Sequence, residues 1–246
     1  MILSECGKRM VMATEANNTG FKSFIYRSGL IYNFVNQRAY EFHKRFKAIA
    51  SLANENGTKK VLDLPCGTGF LTRYLNNDIT YVGFDLNRKF LLKIKKDWKK
   101  GRIPVKKVVL KQTNIFNFEE YPEDVDVIVF CDILHHVFPN HMELIEKAKE
   151  RANKLIICEP VAVNPENMNV KDFLARATIF ITRHFSEKVM KWIDFLLADN
   201  DGINSYEDRS QWPYDREGLA NFYQEIGIKS HRIYPIGDES IGVWTK

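Results

Sequence analysis

The sequence predicts an α/β fold: a mostly parallel seven-stranded sheet, covered by helices and finished by a C-terminal antiparallel hairpin. Three observations carry that prediction. Short apolar runs alternate with helical segments from Lys60 to Cys158, the pattern of parallel strands joined by right-handed crossovers. The run VDVIVFC is almost continuously apolar, as a strand covered on both faces must be. Near the end, two strand-like runs flank Gly237-Asp238, a hairpin signal.

Taken in order, residues 1 to about 20 read as an N-terminal arm, and Phe21–Asn54 as helix. Phe34, Val35, Arg38, Phe42, Phe46, Ile49 and Ala50 form its stripe, and Asn56-Gly57 ends it. Lys60–Leu64 is the first strand, Phe70–Asn77 a helix, Thr80–Asp85 the second strand and Arg88–Lys100 a second helix. Val105–Gln112 and Val125–Cys131 are strands, Met142–Ala152 a helix and Lys154–Cys158 the fifth strand. The alternation breaks after Pro160. Residues 162–205 hold helical segments rich in large apolar side chains, Phe173, Ile179, Phe185 and Trp192 among them. A helix over Asp215–Gly227 and strands over Ser230–Ile236 and Glu239–Thr245 complete the chain. The implied organisation is an N-terminal arm with cap helices (1–56), then a main domain (57–246) carrying a helical insertion at about 162–205.

Composition bounds the function classes. Of 246 residues, 45% are hydrophobic and 27% charged, as in a globular protein with a real core, and the net charge of +5 is too weak to argue for nucleic acid. The run KIKKDWKKGRIPVKK, Lys93–Lys107, reads as the solvated face of the second helix; its alternative is a phosphate-contacting patch for RNA. No run approaches the roughly 18 apolar residues of a membrane helix, and MILSECGKRM has no apolar signal region. Cys6, Cys66, Cys131 and Cys158 form no CxxC pair and no zinc-ligand spacing, so no metal is expected and reduced thiols in a cytoplasmic protein are.

The informative stretch is VLDLPCGTGFL, Val61–Leu71, a strand entering a glycine turn. In an open α/β sheet ligands lie beyond the carboxyl ends of the strands. Gly67 and Gly69 permit close backbone approach. A dinucleotide turn needs a third glycine where this chain has Thr72, and Asp63 at the strand end would repel a pyrophosphate and suit a cation. Pro65 replaces a customary glycine; with fixed φ and no amide hydrogen it stiffens the entry to the turn. Asp85 ends the second strand, where a carboxylate can accept from both ribose hydroxyls.

These residues resemble the first motif of class I S-adenosylmethionine-dependent methyltransferases, an acidic residue followed by G-x-G-x-G. YVGFDLN resembles that family's second strand with its ribose-binding acid, and QTNIFNF the segment flanking the adenine. DVDVIVFCDILHHV resembles the fourth strand and active-site loop, LIICEPV the fifth strand, and YDREGLANFYQEIGIKSHRIYPI the late helix and hairpin. The similarity runs from about Lys59 to Lys246 and implies a Rossmann-like methyltransferase domain binding S-adenosyl-L-methionine and releasing S-adenosyl-L-homocysteine. It implies that Asp63 and the Pro65, Cys66, Gly67, Thr68 and Gly69 turn sit by the methionine end. Asp85 would bind the ribose, with Leu86 against the adenine. Asn114 and Ile115 would flank the adenine, Asn114 standing where the family often has Asp. Cys131 and Asp132 would line the site near the methyl group.

His135 and His136 are candidates for a general base, His136 ahead of His135, and Asp132 for orienting the acceptor. The reading is methyl transfer to an O, N or C atom of a small organic acceptor of apolar character. The insertion, with Arg176, Arg183 and His184, would form a lid over it, completed by Tyr26, Tyr32 and Tyr40. No nucleic-acid partner is expected. The alternatives are a tRNA or rRNA methyltransferase, a non-catalytic S-adenosylmethionine-binding regulator, and an NAD-dependent oxidoreductase, the last disfavoured by Thr72 and Asp63.

Overall fold

A computed structural model describes residues 42–162 and 212–246. The arm, the start of the first predicted helix with its three tyrosines, and the insertion beyond Ala162 with Arg176, Arg183 and His184 lie outside the described residues.

The elements are α1 (Phe42–Ala53), β1 (Lys60–Asp63), β2 (Thr80–Asp85), α2 (Arg88–Lys99), β3 (Lys107–Gln112), β4 (Val125–Cys131), α3 (His141–Arg151), β5 (Ala152–Pro160), α4 (Arg216–Glu225), β6 (Ile233–Ile236) and β7 (Glu239–Thr245). The strands make one seven-stranded sheet in the order β3-β2-β1-β4-β5-β7-β6. β1 to β5 pair in parallel, while β7 runs antiparallel to both β5 and β6. Strand order reverses between β1 and β4, so the crevice beyond their carboxyl ends is the topological switch point where such sheets hold ligands.

Alternation along the strands feeds two cores. Leu62, Val82, Ile128, Phe130, Leu155 and Ile157 face one side with Leu144 and Ile145 of α3 and Leu219 and Phe222 of α4. Val61, Tyr81, Val127, Val129, Ile156 and Cys158 face the other with Ile49 and Ala53 of α1 and Leu91 and Ile94 of α2. Thus α1, from the segment assigned to a cap, packs directly on the sheet. Its end is tied there by Lys154, 5% exposed, whose Nζ donates to Leu52 O at 2.9 Å and to Glu55 Oε2 at 3.2 Å. A buried cation at a helix C-terminus satisfies carbonyls that have no partner within the helix.

The expected helix over Phe70–Asn77 is instead a single 3-10 turn, Phe70–Arg73. Asn54, just past α1, ends it: Nδ2 donates to Tyr74 O and Oδ1 accepts from Asn76 N, both at 3.0 Å. β3 begins two residues later than expected, because Val105 O is taken by Trp98 Nε1 and Lys106 N donates to Ile79 O. β5 runs two residues beyond its apolar stretch at either end: at its start Ala152 pairs with Val125 of β4, and at its end antiparallel pairing with β7 reaches Pro160–Glu239. A 3-10 turn over Ser230–Arg232 occupies the start of the expected sixth strand. β3 is one edge of the sheet, and its exposed Lys107 and Lys111 discourage pairing with another chain.

His141, at the start of α3, is 4% exposed and stacks on Phe138 at 5.1 Å between ring centres. Neither ring nitrogen has a hydrogen-bond partner among the described residues. Burial holds its pKa below the usual value of 6.5, against the opposing pulls of the Pro139 backbone and Glu159. The unfolded chain therefore takes up this proton first, and stability falls as pH drops below 6.5. His141→Phe keeps the stacking and removes the titration. Denaturant midpoints at pH 7.5 and 5.5 should drop less on acidification in the variant than in the wild type; an equal drop would show that His141 does not titrate in this range.

Candidate functional site

The glycine turn hangs between its neighbours. Leu64 N donates to Val129 O of β4 at 3.0 Å, and Cys66 N to Phe84 O of β2 at 2.8 Å. Pro65 falls between these two amides, after a cis Leu64–Pro65 peptide, at the one position of the three where no amide is used. Gly67 (φ 51°) and Gly69 (φ 69°) adopt left-handed backbone. A Cβ on Gly69 would also lie 2.7 Å from Ile94 Cγ1, so the glycine lets α2 close on the turn. Thr72 is fully buried, and its hydroxyl donates to Gly69 O at 2.6 Å. Thr68 is buried beside it.

Two carboxylates stand at the ends of adjacent strands. Asp85 is 8% exposed; Oδ2 accepts from Gly67 N at 2.8 Å and Oδ1 from Asn87 N at 2.6 Å, so the acid of β2 holds the turn of β1. Asp63 is 3% exposed and accepts from Tyr81 Oη at 2.6 Å. Burial pushes its pKa up to about 7; the Tyr81 hydrogen bond pulls down and the Asp85 charge pushes up. Cys66 packs by the same pair, and burial and both carboxylates push its thiol well up. A fixed cation beyond the turn would relieve this crowding of negative charge, whereas a pyrophosphate would add to it.

At the end of β3, Ile115 is buried at 7% exposure and Leu86 is half-buried. Asn114 Oδ1 accepts from Phe116 N at 3.0 Å, a local Asx turn that occupies its acceptor.

Across the switch point, β4 ends at Cys131 and Asp132 turns the chain with φ 61°. The next residues face Glu159, which closes β5 and has no exposed surface. Glu159 Oε1 accepts from Ile133 N and Leu134 N, each at 2.8 Å; Oε2 accepts from His135 N at 3.4 Å and lies 2.8 Å from His135 Nδ1. With Glu159 accepting, Nδ1 carries the hydrogen and Nε2 presents its lone pair. That Nε2 lies 4.0 Å from Asp132 Oδ1. His136 is 6% exposed and its ring lies 4.2 Å from that of His135.

Arg45 reaches the same place from α1. It is 4% exposed, pairs closely with Glu239 of β7 and lies 3.6 Å from Asp132 Oδ2. Partial burial pushes the Asp132 carboxyl up, but Arg45 and the two histidines outweigh it and hold it below the usual range. Burial outweighs Arg45 at Glu239, whose pKa rises to about 7. Trp212 packs 6.1 Å from the His135 ring and donates Nε1 to Pro160 O at 3.0 Å.

The structure therefore brings Asp63, Cys66, Gly67 and Asp85 together on one side of the switch point, and Asp132 and His135 together on the other. Glu159, Arg45, Glu239 and Trp212 were not singled out from sequence. Glu159 had a signal: like Asp63 and Asp85, it is an acid ending an apolar strand. Arg45 and Glu239 had none, being 194 residues apart.

A family model described as a methyltransferase domain matches residues 62–155, from β1 into β5. The methyltransferase domain of bacterial CtHen1 has a similar structure, with TM-score 0.55 and 18% identity over 82% of this chain and 97% of that one. Magnesium protoporphyrin IX methyltransferase (ChlM) from Synechocystis PCC 6803, solved with bound SAH, gives TM-score 0.54 and 12% identity over 82% of each chain. The small RNA methyltransferase HEN1 gives 0.53 and 16% over 82% of this chain and 26% of that one. No curated protein matches the chain by sequence. At these identities the structures establish the fold, and the family model supplies the kind of domain. Residues 62–155 therefore match a methyltransferase-domain model, and the chain has the Rossmann-like fold of class I S-adenosylmethionine-dependent methyltransferases.

Proposed function

We propose that the protein binds S-adenosylmethionine across the ends of β1, β2 and β3 and transfers its methyl group to an O, N or C atom of a small apolar acceptor, with His135 as the base. The observation that carries the base assignment is Glu159: it accepts at His135 Nδ1 and leaves Nε2 to take a proton. This moves the preference from His136, which packs more deeply under its neighbour.

The donor set fits the cofactor. Asp63 and Asp85 favour a cationic amino-acid end, the left-handed turn at Gly67 and Gly69 lets it approach, and Asp85 would share its oxygens between two amides and a ribose. Leu86 and Ile115 would flank the adenine, and Asn114, its acceptor used locally, would offer its amide donor. Bound there, S-adenosylmethionine supplies an electrophilic methyl group on a sulfonium leaving group. Little more is needed from the chain than alignment and removal of one proton. His135 Nε2 takes that proton from the acceptor, Asp132 beside it favours the resulting imidazolium, and Glu159 holds the ring in place. Trp212, Phe138 and Tyr214 form an aromatic group beside His135, which supports an apolar acceptor. The described cysteines are free thiols, which supports a cytoplasmic setting.

Incubation with methyl-labelled S-adenosylmethionine and fractionated cell extract tests the whole reading. Label should enter the organic-solvent fraction, and His135→Ala should slow it at least about a hundredfold. Label confined to RNA, or a His135→Ala rate equal to wild type, would overturn the acceptor class or the base respectively.

Calorimetry tests the cofactor half without an acceptor. Asp85→Ala should weaken S-adenosylhomocysteine binding at least about tenfold, a loss of about 1.4 kcal/mol. Unchanged affinity would remove Asp85 from the ribose site.

Asp63 gives a pH signature. Its proton competes with a bound cation, so S-adenosylmethionine should bind about tenfold more weakly at pH 6 than at pH 8, given a pKa of about 7. Asp63→Asn should flatten that dependence. A wild-type affinity that is level between the two pH values would show that the Asp63 charge plays no part.

A further inference from the structure

We propose that the exposed face of α2 docks the protein on an anionic lipid bilayer. Residues 88–111 hold eleven Lys and Arg against one acid, Asp97, whereas the whole chain has 36 against 31. Most of a chain's lysines need no partner to explain them, so the arrangement matters more than the count.

Leu92 is 53% exposed, the most exposed large hydrophobic side chain among the described residues. On a helix its same-face neighbours are three and four residues away. Those positions are Arg88, Lys89, Lys95 and Lys96, all exposed, and Lys99 and Lys100 continue the face by one turn. Phe90, Leu91 and Ile94 are buried, the last two in the core on the sheet. Asp97 lies off this face and is held by Lys93 at 2.6 Å and Arg102 at 3.2 Å, so it does not offset the cations around Leu92.

An apolar side chain ringed by cations matches a bilayer surface: lysines and an arginine meet lipid phosphates while the leucine enters the acyl boundary. RNA would reward the cations but not Leu92. The aromatic residue near by, Trp98, is half-buried with Nε1 bonded to Val105 O, so it offers no stacking platform for bases. The helix is capped by Asn87, two residues after Asp85, so the docked face begins beside the cofactor cleft. An apolar acceptor could then come from the bilayer, a corollary that rests on the proposed function; the docking itself does not.

Vesicle sedimentation tests it with the full chain. Phosphatidylcholine vesicles containing about 30% phosphatidylserine should bind the protein, and pure phosphatidylcholine should not; binding should weaken steeply with salt. Changing Lys95, Lys96, Lys99 and Lys100 together to Gln should weaken partitioning by about a hundredfold or more. Leu92→Ser, which leaves the charge alone, should weaken it about fivefold or more. Circular dichroism melting of each variant, matching wild type, excludes unfolding. The proposal fails if anionic vesicles do not bind, if either variant partitions like wild type, or if a 20-nucleotide RNA binds through these lysines while vesicles do not. Loss of S-adenosylhomocysteine binding in calorimetry would count against the proposed function and leave this result standing.

Discussion

Glu159 is a carboxylate with no exposed surface, and the loop after β4 is organised around it. Burying such a group without partners is prohibitively costly. Here consecutive amides of Ile133, Leu134 and His135 and one imidazole nitrogen meet it. Those amides open the 3-10 turn Leu134–His136 and have no acceptor inside it, so an acid from another strand serves as their cap. Asp132, at φ 61°, is what turns the chain after β4 so that the amides aim at β5. The conformation of the loop and the orientation of His135 are therefore set by one side chain.

The opposite side of the switch point uses the same device with different neighbours. Asp63, Asp85 and Glu159 each end an apolar strand, where the sheet no longer covers the backbone and a carboxylate can gather amides or hydroxyls. Asp85 has two amides, on Gly67 and Asn87. Asp63 has a tyrosine hydroxyl and a second carboxylate near it, and its pKa is raised to about 7. Similar residues at similar places thus divide between holding backbone and titrating near neutral pH, and the division comes from their partners and their burial.

The positions of the central strands were legible in the sequence because a strand covered on both faces is apolar along its length, a local signal. VDVIVFC and TYVGFD appear with the boundaries their pattern dictates. What escaped was set by tertiary contacts. The helix after the glycine turn is cut short by Asn54, sixteen residues before Phe70, and β5 is lengthened by β7, about eighty residues on. The site divides in the same way. The glycine turn and Asp85 carry a local spacing, and so does the pair of histidines. Which histidine is supported cannot be read locally, since it depends on Glu159, 24 residues away. Arg45 joining Asp132 and Glu239 is further still from any local pattern, because it links α1, the loop after β4 and the last strand.

Charge is segregated in the same spirit. A cleft built on Asp63, Asp85, Asp132 and Glu159 would be repelled by an anionic surface if those groups were open to it. Asp63, Asp85 and Glu159 are at most 8% exposed and spend their oxygens on amides, a hydroxyl or an imidazole, while Asp132 is held beside Arg45. Negative charge at the site is therefore mostly internal, and its field at the surface is reduced by the partners that hold it. The cations of α2 have the opposite placement, outward on a single helix face that starts three residues after Asp85. On the function and the docking proposed above, a cationic cofactor and an anionic surface would be recognised from the two ends of one β2–α2 connection, without either charge set cancelling the other.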